Sequence, residues 1–142
     1  MISKIASQDR LKEGDKLSNA RLVSIIDDDE SVRQSLAGLL RSFGIASQSF
    51  SSAEDFLASP SATENDCLIV DVKMPGMSGL DMQDALISRG AQIPIIFFTG
   101  FPDVRIRDRA QMAGAIVVLE KPFDSKDIPQ YLEFAFNRAP AN

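Results

Sequence analysis

Histidine and tryptophan are absent from this 142-residue sequence, and cysteine and tyrosine each occur once. Without histidine there is no Ser-His-Asp or Cys-His nucleophile, no imidazole metal site and no imidazole acid–base catalysis. Nor can the chain carry a phosphohistidine of its own. A lone cysteine cannot close an internal disulfide. Cys67 lies in the apolar run Cys67-Leu68-Ile69-Val70, where a small hydrophobe packs, with thiol reactivity as the alternative. That usage points to a reducing, cytoplasmic setting. No apolar run approaches the ~20 residues needed to cross a bilayer. Met1–Ala20 lacks the apolar core of a signal peptide. A soluble cytoplasmic protein with no membrane role is therefore expected.

Positive charge is also in deficit, at 15 Lys and Arg against 20 Asp and Glu, a formal net charge of −5. Such a field does not draw in nucleic acid. Any direct nucleic-acid binding must come from a region or partner outside this chain.

What is present is ordinary for one globular domain: 44% hydrophobic and 25% charged residues. Residues 1–20 are polar and mixed in charge and read as a flexible arm. Residues 21–138 read as the domain, and residues 139–142 as a tail or the start of a linker. Within the domain, short apolar runs alternate with helical patterns. The runs are Leu22–Ile26, Ala46–Phe50, Cys67–Val70, Ile93–Phe98 and Ala115–Leu119. Three are nearly continuous in Val, Ile, Leu and Phe, as strands buried on both faces of a parallel sheet require. Ala46–Phe50 is the most polar and suits an edge.

Between the runs, Val32, Leu36, Leu39, Leu40 and Phe43 form one helical stripe closed by Gly44. Ser51-Ser52-Ala53-Glu54 resembles a capping box ahead of a short second helix. Leu80–Ser88 and Pro102–Met112 supply a third and a fourth. Pro129 restricts the fifth to a late start, with Asp127 and Gln130 as its cap. Five βα units with right-handed crossovers give a doubly wound α/β fold, a five-stranded parallel sheet with five helices on its two faces.

In such sheets sites form beyond the carboxyl ends of the strands. The first strand ends in Asp27-Asp28-Asp29-Glu30, the third in Asp71, the fourth in Thr99 and the fifth in Glu120-Lys121. Clustered carboxylates raise one another's pKa unless a cation shares the site. With no histidine or thiolate cluster, the all-oxygen set favours Mg²⁺. A divalent ion and Lys121 together would let an anionic phosphoryl donor approach an anionic nucleophile. Asp71 is then the natural acceptor, as an acyl phosphate, with the Thr99 hydroxyl beside it. Singly, each signal has a plain structural reading: acids at a helix N-terminus, a capping Asp, a solvated Lys before proline, a Thr-Gly turn. Their conjunction at successive strand ends carries the argument.

These stretches resemble the receiver domain of two-component response regulators, in particular its FixJ-like group. The matching segments are Ile25-Ile26-Asp27-Asp28-Asp29-Glu30-Ser31-Val32-Arg33, the run from Asp71-Val72-Lys73-Met74-Pro75-Gly76 to Leu80, Ile93 to Gly100, and Ala113-Gly114-Ala115 with Leu119-Glu120-Lys121-Pro122-Phe123. The resemblance implies strand order 2-1-3-4-5 and Asp71 as phosphoacceptor. It further implies Mg²⁺ ligation by Asp28 and Asp71, by Asp27 through water and by the Lys73 backbone carbonyl. Thr99 and Lys121 would contact the phosphoryl group, and Lys121–Pro122 would be cis. The implied partners are a sensor histidine kinase or phosphotransfer protein, and a downstream protein or an output domain. A homodimer through helix 4, strand 5 and helix 5 is a further expectation. Tyr131 and Phe134 fall off the buried stripe of the last helix and are candidates for a partner or dimer patch, or for packing on neighbouring loops. The FixJ-like group commonly continues into a helix-turn-helix domain, so a regulatory part of a DNA-binding regulator is the alternative to a stand-alone receiver.

Three departures stand out. Many receivers place Tyr or Phe three residues before the lysine, where this chain has Val118, so an aromatic gate at that position is excluded. Phe101-Pro102 follows Thr99-Gly100, making Phe101 a substitute moving aromatic or a cover for helix 4. Helix 4 also carries Arg105, Arg107 and Arg109, with Asp108 where an apolar residue is common. Two rival classes remain. A phosphohydrolase with an aspartyl-phosphate intermediate would place an acid where Lys73 stands. An unphosphorylated interaction module would have lost part of the pocket, which here is complete.

Overall fold

The computed structural model describes residues 21–138; the expected N-terminal arm and C-terminal tail lie outside the described residues. The strands are β1 (Val23–Ile26), β2 (Ser47–Phe50), β3 (Cys67–Asp71), β4 (Ile95–Thr99) and β5 (Val117–Glu120). The helices are α1 (Glu30–Ser42), α2 (Ala53–Ala58), α3 (Gly79–Ser88), α4 (Val104–Met112) and α5 (Ile128–Arg138). Short 3₁₀ turns at Ala62–Glu64 and Ser125–Asp127 precede β3 and α5. All strand pairs are parallel, in the order β2-β1-β3-β4-β5.

Alternation along the strands sends side chains to two cores. Leu68 and Val70 join Ile26, Phe97 and Val118 against Phe56, Met82 and Leu86 of α2 and α3. Cys67 and Ile69 join Ile25 and Phe98 against Leu36 and Leu40 of α1 and Leu132 and Phe136 of α5. Every residue of β1, β3 and β4 is buried, which is why their sequences show no polar alternation. β2 is partly exposed, as an edge strand should be. Each fully buried Phe, such as Phe56, Phe97 or Phe98, contributes about 1.5–3 kcal/mol of transfer free energy. Cys67 is a core residue, and burial pushes its thiol pKa up, away from reactivity.

Helix starts follow local side-chain chemistry. Asp29, Ser52, Ser78 and Asp103 each accept a backbone N–H from the first turn of α1, α2, α3 and α4. Two expected caps are corrected. At α2 the cap is Ser52 bonding the Asp55 amide, and Glu54 is directed elsewhere. Before α5, Asp124 caps the 3₁₀ turn through the Lys126 amide, so the Asp127–Gln130 box is not used. Pro129 sits in the first turn of α5, where its missing N–H costs nothing. α4 begins at Val104 rather than Pro102 because Asp103 caps it.

Candidate functional site

The register sets the site. Ile26 lies opposite Val70, and Asp71 opposite Phe98. The turn after β1 therefore brings Asp27 level with Asp71 at the carboxyl edge. Thr99 ends β4 beside Glu120, and its carbonyl accepts the Lys121 amide at 2.8 Å, which starts the next loop at the same edge.

Asp27, Asp28 and Asp71 each offer a carboxylate oxygen within 4.8 Å of the others. Asp27 and Asp71 are buried and Asp28 is exposed, so the cluster opens to solvent on one side. The Lys121 ammonium stands 3.3 Å from Asp71 Oδ2 and 3.6 Å from Asp27 Oδ2. Its position over the Phe98 ring, 4.9 Å from the centroid, fixes it from below. The Lys121–Pro122 peptide is cis, in keeping with the resemblance. Asp27 Oδ1 accepts the Asp29 amide at 2.8 Å, and the Arg33 guanidinium holds the Asp27 carbonyl at 2.7 Å. Asp71 Oδ1 accepts the Lys73 amide at 3.2 Å.

Burial lifts the pKa of Asp27; the Asp29 amide opposes this, and the negative charge of Asp71 adds to it. Burial likewise lifts Asp71, against the pull of Lys121 and the Lys73 amide. Asp27 Oδ2 is a buried carboxylate oxygen with no hydrogen-bond partner, since Lys121 at 3.6 Å is attraction without a bond. An orphaned buried oxygen inside a three-carboxylate cluster is a donor that a hard cation could satisfy. The donor set fits Mg²⁺.

The remaining expected residues divide. Thr99 is buried at the edge, and its hydroxyl oxygen accepts the Phe101 amide at 3.2 Å. The Lys73 ammonium stacks over the Phe101 ring at 5.8 Å. Phe101 itself is 76% exposed and covers no core. Tyr131 packs onto the α5 side of the core, leaving Phe134 as the exposed member of that pair. Val118 is buried, and Arg107 of α4 reaches its carbonyl at 2.7 Å. Three other links were not foreseen: Glu54 to the Met77 amide, Gln83 Nε2 to the Ala110 carbonyl, and Arg109 to Asp81 and Asp84. Each joins elements distant in sequence; Glu54 reads as part of a local capping box, and Gln83 and Arg109 read as plain helix surface.

A doubly wound sheet whose carboxyl edge opposes a buried acidic pair to a lysine defines a class of α/β protein that gathers anions around a cation. Residues 23–133 match the family model of the response regulator receiver domain, and the chain belongs to that family. It is 41% identical over 121 residues to the response regulator protein TodT of Pseudomonas putida, covering 85% of this chain and 53% of that one. It is 44% identical over 106 residues to the transcriptional regulatory protein FixJ of Azorhizobium caulinodans, covering 75% and 50%. The chain thus spans about half the length of the curated relatives it matches. The crystal structure of FixJ-N superposes with a TM-score of 0.78 at 37% identity, covering 87% of this chain and 99% of that one. StyR, also a response regulator, gives 0.76 at 39% identity, covering 82% and 59%. Receiver domains are phosphoacceptors rather than conventional enzymes, generally bind Mg²⁺ at an acidic pocket, and work with histidine kinases and output domains. Among the described residues no helix is long and apolar enough to cross a membrane.

Proposed function

We infer that Asp71 accepts a phosphoryl group from the phosphohistidine of a sensor kinase or phosphotransfer protein. An Asp71 carboxylate oxygen forms the new O–P bond. The N–P bond of the donor breaks, its electron pair staying on the imidazole nitrogen. Asp28 and Asp71 would hold Mg²⁺ directly, with the Lys73 carbonyl, and Asp27 through water. The ion would supply charge neutralisation between two anions. Lys121 supplies the second positive charge and is already fastened beside Asp71. The observation that carries this reading is the orphaned Asp27 oxygen within the acidic cluster facing Lys121.

The same pocket supports phosphorylation by a small donor and hydrolysis of the acyl phosphate without another enzyme. The switch runs through Thr99. Its hydroxyl oxygen is engaged by the Phe101 amide, and turning toward a phosphoryl oxygen exchanges that bond for a charge-assisted one. The loop before α4 then moves, biasing the α4–β5–α5 face, where Phe134 is exposed, toward an output partner or a second copy. The half-length match to the transcriptional regulatory protein FixJ favours an output in transcription through a further domain.

Incubation with acetyl phosphate and Mg²⁺ followed by intact-mass measurement tests the acceptor. A gain of one phosphoryl mass in the wild type and none in Asp71→Asn is the expected result. No gain in the wild type overturns it.

A further inference from the structure

We propose that Glu54 is a positioning residue for the phosphoacceptor pocket, acting through the β3–α3 loop and the backbone carbonyl of Lys73. This rests on the reading of that carbonyl as a Mg²⁺ ligand.

The loop from Val72 to Ser78 is fastened at four points. Val72 donates to the Phe98 carbonyl at 3.0 Å, and Gly79 donates back to the Val72 carbonyl at 2.9 Å, closing the loop at its base. The Lys73 amide is tied to Asp71 Oδ1. At the tip, the Met77 amide donates to Glu54 Oε2 at 2.9 Å, 23 residues away in sequence and on a different helix. The first three ties come from the strands and the loop itself. Beside the packing of Met74 and Met77 on the core, the bond to Glu54 is the one hydrogen bond that ties the far end to another element.

The turn is shaped around that carboxylate. Gly76 has φ +78°, and a Cβ built on it would lie 2.7 Å from Glu54 Oε2. Glycine there serves two needs at once: the left-handed backbone and room for the Glu54 side chain. The bond is charge-assisted, stronger than a neutral one. Glu54 is itself held on α2, whose Phe56 and Leu57 are buried in the core. Glu54 thus carries the rigidity of α2 to a loop whose other end supplies a pocket carbonyl. Groups hydrogen-bonded directly to a metal ligand commonly change affinity by about 10–100-fold. Glu54 acts one step further out, through Met77 and the loop back to Lys73, so the lower edge of that range is the expectation.

Three variants test this, each first checked for native far-UV circular dichroism. In Glu54→Ala, Met77 amide exchange measured by NMR without Mg²⁺ accelerates roughly tenfold, and Mg²⁺ affinity by isothermal titration falls roughly tenfold. Glu54→Gln retains an acceptor oxygen of the same reach and rescues most of both losses. Gly76→Ala reproduces the affinity loss with Glu54 intact. Faster Met77 exchange with unchanged Mg²⁺ affinity makes the contact local and overturns the positioning role. Unchanged Met77 exchange overturns the contact itself. A wild type that binds no Mg²⁺ overturns the functional reading and the positioning role together, while the Met77 exchange contrast still reports on the tie alone.

Discussion

Lys121 and Asp71, 50 residues apart in sequence, meet with 3.3 Å between ammonium and carboxylate, and the same ammonium lies 3.6 Å from Asp27. One cation therefore faces two buried acids whose mutual repulsion it only partly relieves. Most of the testable behaviour of this site follows from that imbalance.

Replacing Lys121 with Met removes the only ammonium or guanidinium within 4 Å of either carboxylate among the described residues. Stability at neutral pH should fall by about 1–3 kcal/mol, the cost of leaving buried polar groups without their partner. Urea denaturation at pH 7 and at pH 4 checks it. The loss should shrink at the lower pH, where the acids approach protonation.

Both Asp27 and Asp71 have carboxyl pKa values raised by burial. The unfolded chain releases these protons near pH 4, and the folded chain only at higher pH. Between those two values the native state binds more protons, so stability declines as pH rises through the window and the full deficit persists above it. Asp27→Asn, which keeps an Oδ1 acceptor for the Asp29 amide, should therefore raise the melting temperature at pH 7 in the presence of a chelator. The gain should vanish at pH 3. A melting temperature that drops at pH 7 contradicts the assignment.

Mg²⁺ acts in the opposite sense. At about 100 times its dissociation constant it should stabilise the wild type by about 2.7 kcal/mol. Asp28→Asn should lose most of this shift with little change in stability without Mg²⁺, because Asp28 is exposed. Thermal melts across a Mg²⁺ series measure both arms.

Gly79 is the tightest steric position behind the pocket. An added Cβ would lie 2.5 Å from the Asp71 carbonyl oxygen, 2.9 Å from Val70 Cγ1 and 3.1 Å from the Phe97 ring. Gly79→Ala should cost about 3 kcal/mol, as overpacking against backbone does, and should slow phosphorylation by displacing Asp71. Equilibrium unfolding and the acetyl phosphate rate check it together.

Much of this was legible in the sequence. β1, β3 and β4 announce themselves because burial on both faces leaves no room for polar alternation, and the strand ends deliver Asp27, Asp71, Thr99 and Lys121 by position alone. The misjudged caps at Ser52 and Asp124 show the limit. Neighbouring Ser and Asp residues compete for the same amide, and backbone geometry decides between them. The links of Glu54, Gln83 and Arg107 were illegible for a different reason. A long polar side chain on a helix surface gives no sign of which distant amide or carbonyl it will meet. The fate of Phe101 was equally hidden, since only the folded chain shows an aromatic ring left largely in water.

The Arg107 bond to the Val118 carbonyl ties the fourth helix to the outermost strand three residues before Lys121. At that position the side chain is a buried valine, and the guanidinium is stitched to its backbone. Such a seam does not flip between rotamers; it either holds or parts. Communication across that flank should then respond to replacement of Arg107, whose guanidinium bonds an uncharged carbonyl, more than to any aromatic substitution.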